Sequence, residues 1–174
     1  SEGYSAGCQT ITSAFLYSSR NSYICLPNRF LNEQIMNENY SVSPAGEKFS
    51  LPKPEDYKKE FENLKLRVEE EKAKGREIVV VMGVGFVGAV MAAIVADTVD
   101  RKTGQPSKFV IGMQRPSPRS FWKIPLLNRG ISPVKAEDPE VDPMISRCVN
   151  EKRTLVATYT YDVLKLADVV VVDV

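Results

Sequence analysis

The 174-residue sequence predicts an α/β fold: a parallel sheet doubly wound, with helices on both faces, preceded by an N-terminal extension and one helix. Three observations lead there. From Glu77 onward, short apolar runs alternate with segments of helical pattern. Runs such as "IVVVM" (78–82) are too apolar to own a wet face, as a parallel strand covered on both sides requires. Gly83, Gly85 and Gly88 then interrupt the passage between the first run and an Ala- and Val-rich segment. Strand–helix–strand units of this length connect right-handedly.

The elements follow in order. Residues 1–53 are an extension and linker, rich in Ser, Asn and Tyr without sustained periodicity. "TITSAFLYS" (10–18) and "SYICLP" (22–27) fit short strands and parts of a helix equally. "SVSPAGEKFSLPKPED" (41–56) reads as a linker because of its prolines and glycine. Residues 54–75 form an amphipathic helix. Pro54 opens it, Glu55 and Asp56 meet the positive end of its dipole, and Gly75 stops it. Tyr57, Phe61, Leu64 and Val68 make its apolar stripe, and the surrounding charge run is its solvated face.

Residues 76–174 form the α/β domain. Its expected strands are 78–82, 108–113, 154–158 and 169–174. A helix follows the first strand and ends near Gly104, and "SFWKIPLLNRG" (120–130) mixes helix and loop, interrupted by Pro125. Another helix covers 138–152, starting at its second proline, and a short one covers 161–168.

Composition excludes several functions. Lys and Arg number 23 against 22 acidic residues, so no electrostatic case exists for nucleic acid or an anionic membrane. No segment approaches the ~20 apolar residues of a membrane helix, and the N-terminus lacks a signal-peptide pattern. The expected location is the cytoplasm, and the Asn39-Tyr40-Ser41 sequon is read as chance. Three scattered cysteines and no histidine argue against a disulfide framework, a zinc site and any histidine-activated nucleophile. Cys148 reads as a packed thiol.

Gly83-x-Gly85-x-x-Gly88 lies directly after a strand and before a helix, the context in which this pattern signals a dinucleotide. Gly83 permits the turn, Gly85 lets the main chain approach a pyrophosphate, and Gly88 allows close helix–strand packing. The amides around Phe86, Val87 and Gly88 would face the diphosphate at the helix's positive end. An acid usually closes the second strand to receive the ribose; here "GMQRPS" puts Gln114 and Arg115 there. Gln114 suits a ribose hydroxyl, and Arg115 suits adenine or a 2′-phosphate. NAD is the expected cofactor, with NADP an open alternative. No metal is expected.

From Ile78 on, the chain resembles the N-terminal domain of the nucleotide-sugar 6-dehydrogenases, which include UDP-glucose, UDP-N-acetylmannosamine and GDP-mannose dehydrogenases. The resemblance rests on "VVVMGVGFVGAVMA", "LNRGISPVKAEDPEVDPMI" and "RTLVATYTYDVLKLADVVVVDV", in that order. It implies a Rossmann-like domain and NAD-dependent oxidation of a nucleotide sugar at C6 to the uronic acid. It also implies pyrophosphate contacts from Gly83, Gly85, Phe86, Val87 and Gly88, with Asp173 and Val174 near the nicotinamide side. In that family the catalytic cysteine, lysine, glutamate and threonine follow the fourth strand. No catalytic residue is therefore expected in these 174 residues, and the nucleotide sugar would be held by a further part. The rivals are a non-catalytic dinucleotide-binding or assembly module and another NAD(P)-dependent dehydrogenase. An open terminal strand also makes a homo-oligomer a reading to test.

Overall fold

The structure is a computed structural model that describes residues 39–173, together with 18–19 and 22–23. In the N-terminal unit, β1 (Ser18–Ser19) pairs antiparallel with β2 (Ser22–Tyr23). The remainder of the two candidate segments at 10–18 and 22–27 lies outside the described residues.

The stretch expected as a linker folds instead as a hairpin. β3 (Tyr40–Val42) pairs antiparallel with β4 (Lys48–Ser50), with Ser41 opposite Phe49. Its loop closes through Ser43 N–H to Glu47 O (2.8 Å) and Gly46 N–H to Ser43 O (2.9 Å). Ser41 and Phe49 point inward, Ser41 accepts a hydrogen bond from the Trp122 amide, and Arg129 lies over the Phe49 ring. Three-residue strands with a serine facing inward leave no apolar alternation to read.

Helix α1 (Pro54–Ala73) opens at Pro54, and the Asp56 carboxylate accepts the Lys53 amide at 2.8 Å. Gly75, at φ +77°, ends it. Leu64 and Val68 are buried. Beyond it, four strands form one wholly parallel sheet in the order β7-β6-β5-β8. These are β5 (Glu77–Met82), β6 (Lys108–Met113), β7 (Leu155–Thr158) and β8 (Val169–Val172).

Alternation along the strands serves two cores. Val79, Val81, Val110, Leu155 and Ala157 meet α2 (Phe86–Ala96), α3 (Lys123–Asn128) and α4 (Val141–Ser146), with Cys148 in the turn after α4. Ile78, Val80, Phe109, Ile111 and Met113 meet Leu64 and Val68 of α1 and Val163 of the 3₁₀ turn Tyr161–Leu166. The link from β7 to β8 is only this turn, too short to cover a sheet face, and α1 takes that place. The fold is Rossmann-like with helices on both faces as expected, although α1, from before the alternating units, covers one of them.

Several expected boundaries move: α4 starts at Val141, before the proline expected to open it, and ends at Ser146, and β8 ends at Val172. Helix α2 stops at Ala96, not near Gly104, and its capping residue Asp97 pairs with Arg147 and Lys152. Asp100 Oδ1 then accepts the amides of Lys102 and Thr103, a side-chain-closed turn that competes with helix. Pro125 does not interrupt α3 but sits in its first turn, where a missing N–H leaves no acceptor unserved. Among the described residues no helix is long and apolar enough to cross a membrane.

Candidate functional site

The sheet order fixes where a site can form. The chain winds outward from β5 through β6 to β7, then returns to place β8 on β5's other side. The order therefore reverses between β5 and β8, and a crevice opens at their carboxyl ends. Gly83 follows β5 there, and Asp173 follows β8.

Backbone contacts set the turn. The Gly83 amide donates to Met113 O (2.8 Å) and the Asp173 amide to Met82 O (3.0 Å), which ties the ends of β5, β6 and β8 together. Gly83 adopts φ +93°, a region side chains rarely enter, and a Cβ there would lie 2.9 Å from Asp173 O. A Cβ on Gly88 would fall deep inside the contact distance of the Gly83 carbonyl oxygen and 2.9 Å from Asp173 Oδ2. That close approach seats the first turn of α2 on the end of β5.

Gly85 differs from both. It caps α2 at φ −78° in extended backbone, and a Cβ there would meet nothing within 4 Å. Among the described residues, every other glycine has either a positive φ or a close neighbour. Beyond Gly85 the amides of Phe86, Val87 and Gly88 find no acceptor among the described residues. They form the open positive end of an 11-residue helix. Phe86 and Val87 are 59% and 53% exposed, and with Val90, Met91 and Ile94 they line an apolar cleft of about 320 Å³ beside those amides.

The expected site residues divide as follows. Gly83, Gly85, Phe86, Val87 and Gly88 share the turn, and Asp173 is brought against it, its carboxylate beside Gly88. Val174 lies outside the described residues. Gln114 is partly committed: its Oε1 accepts the Val84 amide at 3.1 Å, so the side chain braces the turn, while its NH₂ has no partner among the described residues. Arg115 is exposed just past β6, and its carbonyl accepts the Ser120 hydroxyl.

Two motif residues, Asn128 and Asp168, have structural roles that sequence reasoning left open, and Cys148 is packed as expected. Asn128 bonds both polar groups of Ala157, donating to its carbonyl (2.9 Å) and accepting its amide (2.7 Å), and so pairs the outer edge of β7. Its place in "LNRG", at the end of a helix, was the available signal. Asp168 accepts the Ile78 amide (2.9 Å) and pairs with Lys72 (2.9 Å), and these bonds hold its carboxyl below the usual range. Cys148 is buried beside Asp97 and Ala93 O, and burial pushes its thiol up to about 11. It stays protonated and packed. Among the described residues no cluster of three His, Cys, Asp or Glu side chains could hold a metal.

Strand order and glycine turn together define a Rossmann-like α/β chain. No protein-family model matches the sequence, and no curated protein matches it. Among solved structures the chain is similar to the NDP-N-acetyl-D-galactosaminuronic acid dehydrogenase from Methanosarcina mazei Go1, at 31% identity and a TM-score of 0.49. The match covers 62% of this chain and 22% of that one, so the chain spans about a fifth of that protein's length.

Proposed function

We propose that this chain supplies the NAD-binding part of an oxidoreductase that oxidises a nucleotide sugar at C6 to the uronic acid. The observation that carries the cofactor reading is Gly85. Neither its backbone nor its neighbours require a missing side chain, and Ser, Asn or Asp would cap the helix at least as well. The space over it is explained by a ligand that must come close to the main chain.

The residues present fit a dinucleotide. The amides of Phe86, Val87 and Gly88, unpaired among the described residues and at a helix's positive end, suit a diphosphate. The NH₂ of Gln114 suits a ribose hydroxyl, and exposed Arg115 suits the adenine face. Bound there, NAD supplies the hydride acceptor. The chain's own part is to bind and orient it, with Gln114 keeping the turn open by holding Val84. One feature opposes the diphosphate: the Asp173 carboxylate stands beside Gly88 and repels it. The nucleotide-sugar substrate rests on the three ordered motifs, from "VVVMGVGFVGAVMA" to "RTLVATYTYDVLKLADVVVVDV".

Calorimetric titration with NAD tests the reading. The chain binds NAD, and Gly85→Val, whose side chain enters the open space, abolishes binding while the melting temperature stays unchanged. Equal affinity in the two proteins contradicts it.

A further inference from the structure

A second cleft lies along the outer edge of β7, two strands away from the glycine turn that follows β5. It has a volume of about 490 Å³ and is lined by Arg67, Asn128, Val149, Asn150, Arg153, Leu155 and Val156.

Among the described residues its lining holds two cations and no acid, and both cations also border the adjoining cleft that Glu70 and Glu71 line. Among the described residues, neither Arg67 nor Arg153 forms an ion pair. Arg67 is half-buried from the middle of α1, its guanidinium over the Phe109 ring at 5.0 Å. Its hydrogen bond is a long one, Nη2 to Arg153 O at 3.4 Å, which leaves most of its donors unused. Burial and the nearby Arg153 charge lower its pKa, partly offset by Glu71 and Glu70. Both Glu71 oxygens are engaged by Lys74 and Arg76, and Glu70 and Glu71 stand in the adjoining cleft on the other side of Arg67 and Arg153, where Lys74, Arg76 and Lys152 add three further cations.

Two backbone features border the same space. Arg153 adopts φ +54°, alone among the described non-glycine residues in the left-handed region, where glycine would sit without strain. In addition, β6 takes its ladder bonds from the even residues of β7, through Val110 N–H to Thr154 O and Gln114 N–H to Thr158 O. Leu155 and Ala157 therefore turn their amides outward. Asn128 accepts that of Ala157, whereas that of Leu155 faces the cleft without an acceptor among the described residues.

We infer that this cleft binds the phosphate group of a small phosphomonoester, held by the Arg67 and Arg153 guanidinium groups and the Leu155 amide. The volume falls in the range of small-molecule sites, and Val149 and Val156 give the rest of the ligand an apolar wall. The anion would relieve two like charges held close together.

The test uses the full chain carrying Gly85→Val, so that the glycine turn does not contribute and failure of the NAD reading leaves the result intact. UMP and inorganic phosphate are titrated separately, with the Leu155 amide followed by heteronuclear NMR. UMP binds at one site, moves the Leu155 resonance, and loses at least tenfold in affinity in Arg153→Gly. That variant suits the left-handed backbone, so its fold is retained; Arg67→Gln gives a second loss of similar size. Inorganic phosphate binding as tightly as UMP, with the same Arg153 dependence, supports the phosphate subsite and identifies its occupant as the free anion. Neither ligand binding, or affinity unchanged in Arg153→Gly, overturns the proposal.

Discussion

Replacing Gly88 by alanine separates the packing role of the glycine turn from its binding role. The new Cβ would press on the Gly83 carbonyl group, with its carbon at 2.9 Å and Asp173 Oδ2 also at 2.9 Å. Both neighbouring segments are fixed, Gly83 by its bond to Met113 O and Asp173 by its bond to Met82 O. No rotamer relieves a clash with backbone, so α2 must lift from the end of β5. Alanine gains about 1 kcal/mol over glycine inside a helix, whereas overpacking of a fixed site costs about 3 kcal/mol or more. The net loss is about 2 kcal/mol, or about 6 °C in Tm for a domain of this size. Gly85→Ala meets open space at φ −78° and stays within about 0.5 kcal/mol of the parent. Thermal and urea unfolding of both variants measure the contrast. A Gly88→Ala protein as stable as its parent, or two variants equally destabilised, would refute the packing argument.

Two further outcomes follow from charge. Asp173→Asn removes the carboxylate that stands beside Gly88 and tightens NAD binding about fivefold by calorimetry, with the gain shrinking as salt rises; weaker binding would show that the carboxylate serves the cofactor instead. Asp97 receives two bonds from Arg147 (2.9 and 2.8 Å) and one from Lys152 (2.7 Å), which hold its carboxyl well below the usual carboxylate range. A depressed folded-state pKa means that its stabilisation is complete above the unfolded value of about 3.9 and disappears as pH falls through the folded value. The stability gap between parent and Asp97→Asn is therefore constant from neutral pH to about pH 4 and closes below it; parallel curves down to pH 2 would contradict this.

The sheet was legible because its strands are apolar on both faces, and the glycine spacing marked where β5 meets α2. Other features depend on partners distant in sequence. The hairpin 40–50 is stabilised by Trp122 and Arg129, about 80 residues away, and its own pattern carries little signal. Helix α2 reads as continuing past Ala96 until Arg147 and Lys152 are seen to claim Asp97. Gln114 was legible as a departure from an acid, but its bond to Val84 was not, because it needs β5 and β6 in register. Asn128 shows the reverse case: its segment stood out in the sequence, and its work at the edge of β7 became clear only from the fold.

The most direct measurement is heteronuclear NMR of the amides of Phe86, Val87 and Gly88 during titration with NAD. A diphosphate seated at the start of α2 shifts all three resonances together, saturably and with one dissociation constant, and Gly85→Val removes the response. Unmoved resonances at saturating NAD, or shifts confined to other parts of the chain, would contradict a dinucleotide site at this turn.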